Sequence, residues 1–351
     1  MARSENRQLS QTILLLIVGA GVGLLIIVCV LVLLVDPFRW LREVPVTIEP
    51  AQPTAPGTDG ENIEDESVPS ARSATTTPSP QPHPTQPPPG RIVYTCFVEG
   101  TDDICIMQAD GSMGRRLTSE DATDFYPSIA LSGDAIVFSS RRSDRFEIYS
   151  LSTAGGEPIQ LTEGIGSLFA PEISPDGTQI IFTNARDGHQ SIWIMNRDGT
   201  DPQPLTEGTW DDLDPTWSPD GKQIAFASTR GSSRQLYIMD ADGSDIRKVS
   251  PNLPDMGGRS DWSPDGGYLA FYAGPEGDHN IYTISVDGMN LRQLTDGGDN
   301  LAPSFSPDGQ WLAYTSYLDG NNEIYVLRID DPEPIRITHD SRADWQPRWG
   351  P

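Results

Sequence analysis

The apolar and polar positions of the chain fall into three regimes with different periods. Residues 12–35 run for 24 positions without a charge. At 1.5 Å of rise per residue that is roughly 36 Å of helix, enough to cross a hydrocarbon core of about 30 Å. A cleaved signal peptide would have a shorter apolar stretch followed by small residues. Here Asp36-Pro37-Phe38-Arg39-Trp40 follows, which predicts an uncleaved signal anchor at 12–35 behind a cytoplasmic tail at 1–11. Gly19 and Gly23 lie four apart and give the span a small-residue face suited to a dimer, although membrane helices also tolerate glycine without pairing.

Residues 36–90 carry no apolar rhythm. The tract is rich in Pro, Thr, Ser and Gln and ends in Pro-Ser-Pro-Gln-Pro-His-Pro-Thr-Gln-Pro-Pro-Pro-Gly. Such a segment cannot bury a core and reads as a disordered, extended linker. A stalk of this kind suits a domain held away from a membrane. It sets the expected orientation, N-terminus cytoplasmic and bulk extracytoplasmic, because the flanking arginines barely discriminate.

From residue 91 onward short alternating runs recur about every 44 residues. The turn Ser-Pro-Asp-Gly stands at 174–177, 218–221, 263–266 and 306–309, with a degraded copy at 130–133. One aromatic recurs at Tyr94, Phe138, Phe182, Phe226, Phe271 and Tyr314. A second recurs at Tyr149, Trp193, Tyr237, Tyr282 and Tyr325, with Cys105 in the first copy. Leu-Thr or an analogue closes each unit, from Leu117-Thr118 to Ile337-Thr338. In the fourth copy, 215–218, 223–228 and 236–240 alternate as strands joined by Pro-Asp-Gly and Asp-Gly turns, and a fourth strand ends at Val249-Ser250. Four short strands per unit predict an all-β propeller of six four-stranded blades over 91–351, the recurring aromatics filling the space between blades. The first unit lacks its opening strand, and Gln346-Pro347-Arg348-Trp349-Gly350-Pro351 match one, so the C-terminus is expected to close the ring.

The pattern in Asp214-Pro215-Thr216-Trp217-Ser218-Pro219-Asp220-Gly221 resembles the WD40-like PD40 repeat of the TolB-type β-propeller family, over essentially all of 91–351. The resemblance implies the same propeller fold. Ser260 replaces the strand-one proline, Ala154-Gly155 replaces Asp-Gly, and Asp331 replaces a turn glycine. The N-terminal α/β domain of TolB itself has a membrane anchor and stalk in its place.

Charge and composition narrow the function. With 24 Lys+Arg against 50 Asp+Glu and a net charge of −26, the chain lacks the basic runs that track phosphate backbones, which excludes nucleic acid. Three cysteines and four histidines do not make a disulfide-dense scaffold or a His-rich metal site, and no cofactor motif is present. Asp176, Asp220, Asp265, Asp308, Asp198, Asp242 and Asp287 should share one face, where capping of turn N–H groups outweighs cation binding for want of a calcium-loop spacing. Function is expected on the opposite face, where the loops between units vary. Around the channel mouth the ring places Tyr126, Glu172, Trp210, Asp214, Arg259, Asp261, Arg348 and Trp345, a mixture suited to an envelope protein, peptide or glycan ligand. Trp345 and Phe125 are read as plugs between blades. No nucleophile–base–orienter set is recognisable, which favours a binding scaffold over a lyase or hydrolase acting on cell-wall or polysaccharide fragments. Cys96 and Cys105 form either a cross-strand disulfide in an oxidising compartment or two buried thiols.

Overall fold

The computed structural model describes residues 88–351 apart from Glu120, Ser232 and Asp255. The apolar run 12–35, with Gly19 and Gly23, and the linker up to residue 87 lie outside the described residues. Among those described, no helix is long and apolar enough to cross a membrane.

Alternation with tight turns gives short antiparallel strands. The first blade holds β1 (Arg91–Val98), β2 (Thr101–Gln108) and β3 (Arg115–Arg116). The second holds β4 (Thr123–Ile129), β5 (Ala135–Arg141), β6 (Glu147–Ser152) and β7 (Ile159–Gln160). The third holds β8 (Ser167–Ile173), β9 (Gln179–Arg186), β10 (His189–Asn196) and β11 (Gln203–Pro204). The fourth holds β12 (Asp212–Trp217), β13 (Gln223–Ser228), β14 (Gln235–Asp240) and β15 (Arg247–Lys248). The fifth holds β16 (Asp261–Trp262), β17 (Tyr268–Ala273), β18 (Asn280–Ser285) and β19 (Arg292–Gln293). The sixth holds β20 (Asn300–Phe305), β21 (Trp311–Ser316), β22 (Glu323–Arg328) and β23 (Ile335–Arg336), and β24 (Asp344–Gly350) ends the chain. Sheet order is sequential in every blade, and β24 completes the first in the order β24-β1-β2-β3. The fold is the six-bladed propeller that the repeat predicts.

The Ser-Pro-Asp-Gly turn is a small hydrogen-bonded unit. Ser218 Oγ donates to Asp220 Oδ1 (2.8 Å) and accepts from Gln223 N (2.9 Å), while Lys222 N donates to Asp220 Oδ1 (3.1 Å). Asp176, Asp265 and Asp308 do the same in their blades, and Asp198, Asp242 and Asp287 cap the second turn set. These bonds hold Asp176, Asp220, Asp265, Asp198 and Asp242 below the usual carboxylate range. Among the described residues, no group of three or more His, Cys, Asp or Glu side chains is placed to share a metal ion.

Each hydrophobic cluster is the interface between two neighbouring blades. Ile181, Ile192 and Ile194 of the third blade pack against Trp217, Phe226, Tyr237 and Met239 of the fourth. The two recurring aromatics are cross-strand partners, such as Phe226 with Tyr237, their ring centroids 6.1 Å apart. Burying one such ring contributes about 1.5–3 kcal/mol. In the first blade Tyr94 faces Cys105, which is disulfide-bonded to Cys96, and the bridge packs against Trp311 and Val326 of the sixth. The cystine thus fills the place of the missing ring.

The closing Leu-Thr pair also has a physical reason. The outer strands are only two residues long, so one N–H per blade on the third strand lies beyond them. The hydroxyl covers it: Thr206 Oγ1 accepts from Ile192 N (3.0 Å), as Thr118 does from Ile104, Thr162 from Ile148 and Thr338 from Ile324. In several blades the same hydroxyl donates onward to a buried side chain, such as Glu147 (2.6 Å) or Glu323 (2.6 Å).

Closure is secured at the point where the chain enters. Trp349 Nε1 donates to Pro89 O (2.7 Å), and Arg91 Nε and Nη2 donate to Pro351 O (3.0 Å) and Gly133 O (2.6 Å). Gly90 adopts φ +92° against Gly350, and a Cβ there would lie 2.3 Å from the Gly350 carbonyl oxygen. The closing strand starts two residues before the segment recognised in the sequence.

Candidate functional site

The inner strand of the blades surrounds the central channel, and its sequence dictates a kink. The residue before the strand-one proline adopts positive φ at Tyr126, Ala170, Asp214, Ala302 and Gln346, and the pairing register shifts there. Proline cannot donate to the ladder, so it sits at a bulge, and the bulge turns adjacent side chains toward the axis. In the fifth blade Ser260 stands where the others have proline, and Arg259 is not among the residues at positive φ. The departure noticed in the sequence marks the blade that supplies the most deeply buried cation.

Two residues beyond the kink, one side chain per blade forms a ring. In order from the second blade these are Ser128, Glu172, Thr216, Asp261, Ser304 and Arg348, so hydroxyls alternate with charges. Arg348 reaches across the channel, Nη2 lying 3.0 Å from Glu172 Oε2 and Nη1 2.8 Å from Asp261 Oδ1. Nη2 also donates to Ser260 O (3.2 Å). The carboxylates are anchored by the following blades. Glu172 Oε1 accepts from Thr216 Oγ1 (3.2 Å) and Trp217 N (3.1 Å); Asp261 Oδ2 accepts from Ser304 Oγ (2.9 Å) and Phe305 N (2.8 Å). One arginine thereby ties together the first, third and fifth blades.

A second layer lies at the kink itself. Arg259 Nη2 donates to Pro127 O (2.6 Å) in the second blade, and its guanidinium stands 5.6 Å from the Tyr126 ring centroid. Gln346 Oε1 accepts from Tyr126 N (2.9 Å). Arg259 and Arg348 are 5% and 6% exposed, so both cations are sealed in. Burial, and then the nearby Arg348, brings Arg259 down to about 9. Burial raises Glu172 against the pull of Arg348, and raises Asp214 against that of Arg259. Burial works against the charge on Arg348, yet Asp261 and Glu172 hold it above its ordinary value.

Six of the eight residues expected at the channel mouth are thus gathered together: Tyr126, Glu172, Asp214, Arg259, Asp261 and Arg348. They form an internal polar axle rather than an open rim. Trp210 stands apart, 44% exposed on the loop before β12. Phe125 and Trp345 meet at 6.2 Å between centroids where the first and second blades join, each half-buried. Sequence reasoning did not pair His279 with Asp299, whose Nδ1 and Oδ1 are 2.6 Å apart. Asp299 also accepts from His279 N (3.3 Å), as Asp211 accepts from Gln190 N (3.0 Å) two blades earlier, so the contact serves as a loop clasp. An open cleft of about 520 Å³, lined by Thr295, Asn300, Tyr314 and Leu318, lies between the fifth and sixth blades, away from the axle.

The sequence pattern of the TolB beta propeller domain (PD40) matches residues 161–297 and 247–351, more than half of the chain. The chain belongs to this family. None of the curated proteins compared matches it. Among solved structures it is similar to TolB from Acinetobacter baumannii, with 24% identity and a TM-score of 0.68 over 74% of this chain and 66% of that one. It thus spans just under two thirds of that relative's length. A putative TolB from Agrobacterium tumefaciens is 20% identical, with a TM-score of 0.60 over 75% of this chain and 99% of the other. An oligogalacturonate lyase in complex with manganese matches at 15% identity and a TM-score of 0.52, over 72% and 74%. These likenesses concern the fold that the family shares.

Proposed function

We propose that the chain is a membrane-anchored, extracytoplasmic propeller that works as a binding scaffold for an envelope protein, peptide or glycan, with no chemistry of its own. The observation that carries this reading is the Arg348–Glu172–Asp261 network. It closes the channel with ion pairs and hydrogen bonds, where a propeller enzyme would need a solvated cleft with a free acid and base. A hub cross-braced in this way is suited to holding variable loops in fixed relation. The uncharged length of residues 12–35 supports the anchor, and Gly19 and Gly23 supply its dimer face. The Cys96–Cys105 disulfide supports placement in an oxidising compartment.

The test uses the full chain with an N-terminal tag, cross-linked in native membranes, together with protease added to intact cells. The reading expects envelope components to be captured reproducibly, the propeller to be cut from outside, and unreduced peptide mass spectra to show Cys96 joined to Cys105. No cross-linked component, or a propeller protected from external protease, sinks it.

A further inference from the structure

Half of the channel rim on the loop face carries aromatic side chains that the repeat does not require. The recurring aromatics pair across strands inside the blade interfaces. Phe125, Phe169 and Trp345 instead share a third register position, just before the kink, which is Leu213, Gly258 and Leu301 in the other blades. They come from the second, third and first blades, which are neighbours, so the three rings stand side by side. Phe146, from the loop between β5 and β6, fills the space among them. Its centroid is 5.9 Å from that of Phe125 and 5.1 Å from that of Phe169, and Tyr126 closes the group 6.2 Å from Phe169. All five rings are half-buried rather than sealed. The Trp345 indole N–H is enclosed and has no acceptor among the described residues.

The loop that carries Phe146 reads Arg141-Arg142-Ser143-Asp144-Arg145, three arginines to one aspartate, in a chain that is acidic as a whole. Arg141 lies 5.5 Å above the Phe146 ring, and both it and Arg145 are exposed. Neither makes an ion pair with a described residue, in a chain whose net charge is −26. Arg142 between them is turned inward, 3.8 Å from Asp124.

We propose that this half-rim is the docking surface of the scaffold function inferred above, and that its occupant is an acidic segment of a partner polypeptide with an aliphatic or aromatic anchor. The ring planes are inclined by 35°, 48°, 47° and 71° to their neighbours. Such a group makes a faceted cup for one apolar side chain and offers no flat platform for a sugar ring to stack on. The two outer guanidiniums supply charge-assisted bonds to carboxylates flanking the anchor. Acidic turns over the opposite face repel the same segment and so orient it. The occupant docks off the axis, because Arg348 closes the channel itself.

The experiment selects a random-dodecamer phage library on the full chain in detergent micelles, with empty micelles as counter-selection. Recovered peptides should combine acidic residues with one apolar anchor. Their binding should fall about tenfold or more in Phe146→Ala, and equally in the surface variant Arg141→Glu with Arg145→Glu, while Trp210→Ala leaves it unchanged. The surface variant does not disturb the core, so its unfolding midpoint should match wild type. Peptides without acidic residues, no enriched peptide, or binding that survives both variants overturns the proposal. So does oligogalacturonate binding that is lost in the same variants while peptides are not retained. If cross-linking still captures envelope components after any of these outcomes, the scaffold function stands and only this surface is wrong.

Discussion

Replacing Arg348 with Met is the sharpest test of the axle. The thioether fills most of the volume but removes the cation that Glu172 and Asp261 share. Breaking a buried ion network by deleting one partner costs about 3–5 kcal/mol, because the remaining charges are left uncompensated. Here each carboxylate keeps two hydrogen bonds from the following blade, so we expect the lower end, about 3 kcal/mol. The loss should also depend on pH. Burial already raises Glu172, and without Arg348 it rises further. A carboxyl whose folded pKa lies above its unfolded one destabilises the fold above the unfolded value, and protonation relieves the penalty as pH falls through the folded value. The deficit of Arg348→Met should therefore be largest near about pH 8 and shrink toward about pH 5. Adding Glu172→Gln should recover about 1–2 kcal/mol at neutral pH. Urea unfolding of the Pro80–Pro351 unit, followed by tryptophan fluorescence, reads all three quantities. A deficit below about 1 kcal/mol that does not change with pH would refute a charge-based axle and leave Arg348 as packing.

Other sites give independent checks. Burial, with Asp340 and Glu323 nearby, pushes Asp344 up to about 8, so Asp344→Asn should raise the melting temperature at pH 7–8 and lose that advantage as pH falls toward the unfolded carboxylate value near 4. An unchanged melting profile would remove Asp344 from the acid response. Thr206→Val leaves Ile192 N without its acceptor and should cost about 1–3 kcal/mol, with hydrogen exchange accelerated first at that amide; uniform exchange would argue against the hydroxyl's role. Removing Asp344–Gly350 uncovers the β1 edge, so light scattering should detect self-association, and a monomeric truncation with wild-type stability would contradict closure by β24.

Most of the fold was legible because its signals are local. Ser-Pro-Asp-Gly encodes a turn within four residues, and 223–228 was bounded correctly because Gln223 and Ser228 end a clean alternation. The start of strand one was read as Pro215 rather than Asp212, since the kink at Asp214 interrupts the alternation that would have extended it backward. Leu-Thr was visible as a repeat, but its cause lies fourteen residues upstream in an amide that only the register exposes. The candidate site was legible as a set of residues and not as an arrangement. Glu172 and Arg348 are 176 positions apart, and whether they face solvent or each other depends on the ring's diameter, which no single unit specifies. Phe125 and Trp345 were recognised singly as plugs. Their neighbour Phe146 comes from a loop outside the register, so the cup could not be assembled from the repeat alone.

The alternation of hydroxyl and charge around the axle constrains how such a protein can change its size. Loss of the fourth blade would set Glu172 and Asp261 shoulder to shoulder, and duplication of the second or the sixth would move Arg348 away from one of its two counterions. Gain or loss of units in pairs keeps the rhythm intact. Unequal recombination in this gene, otherwise encouraged by such similar modules, should therefore be tolerated best when units are exchanged in pairs.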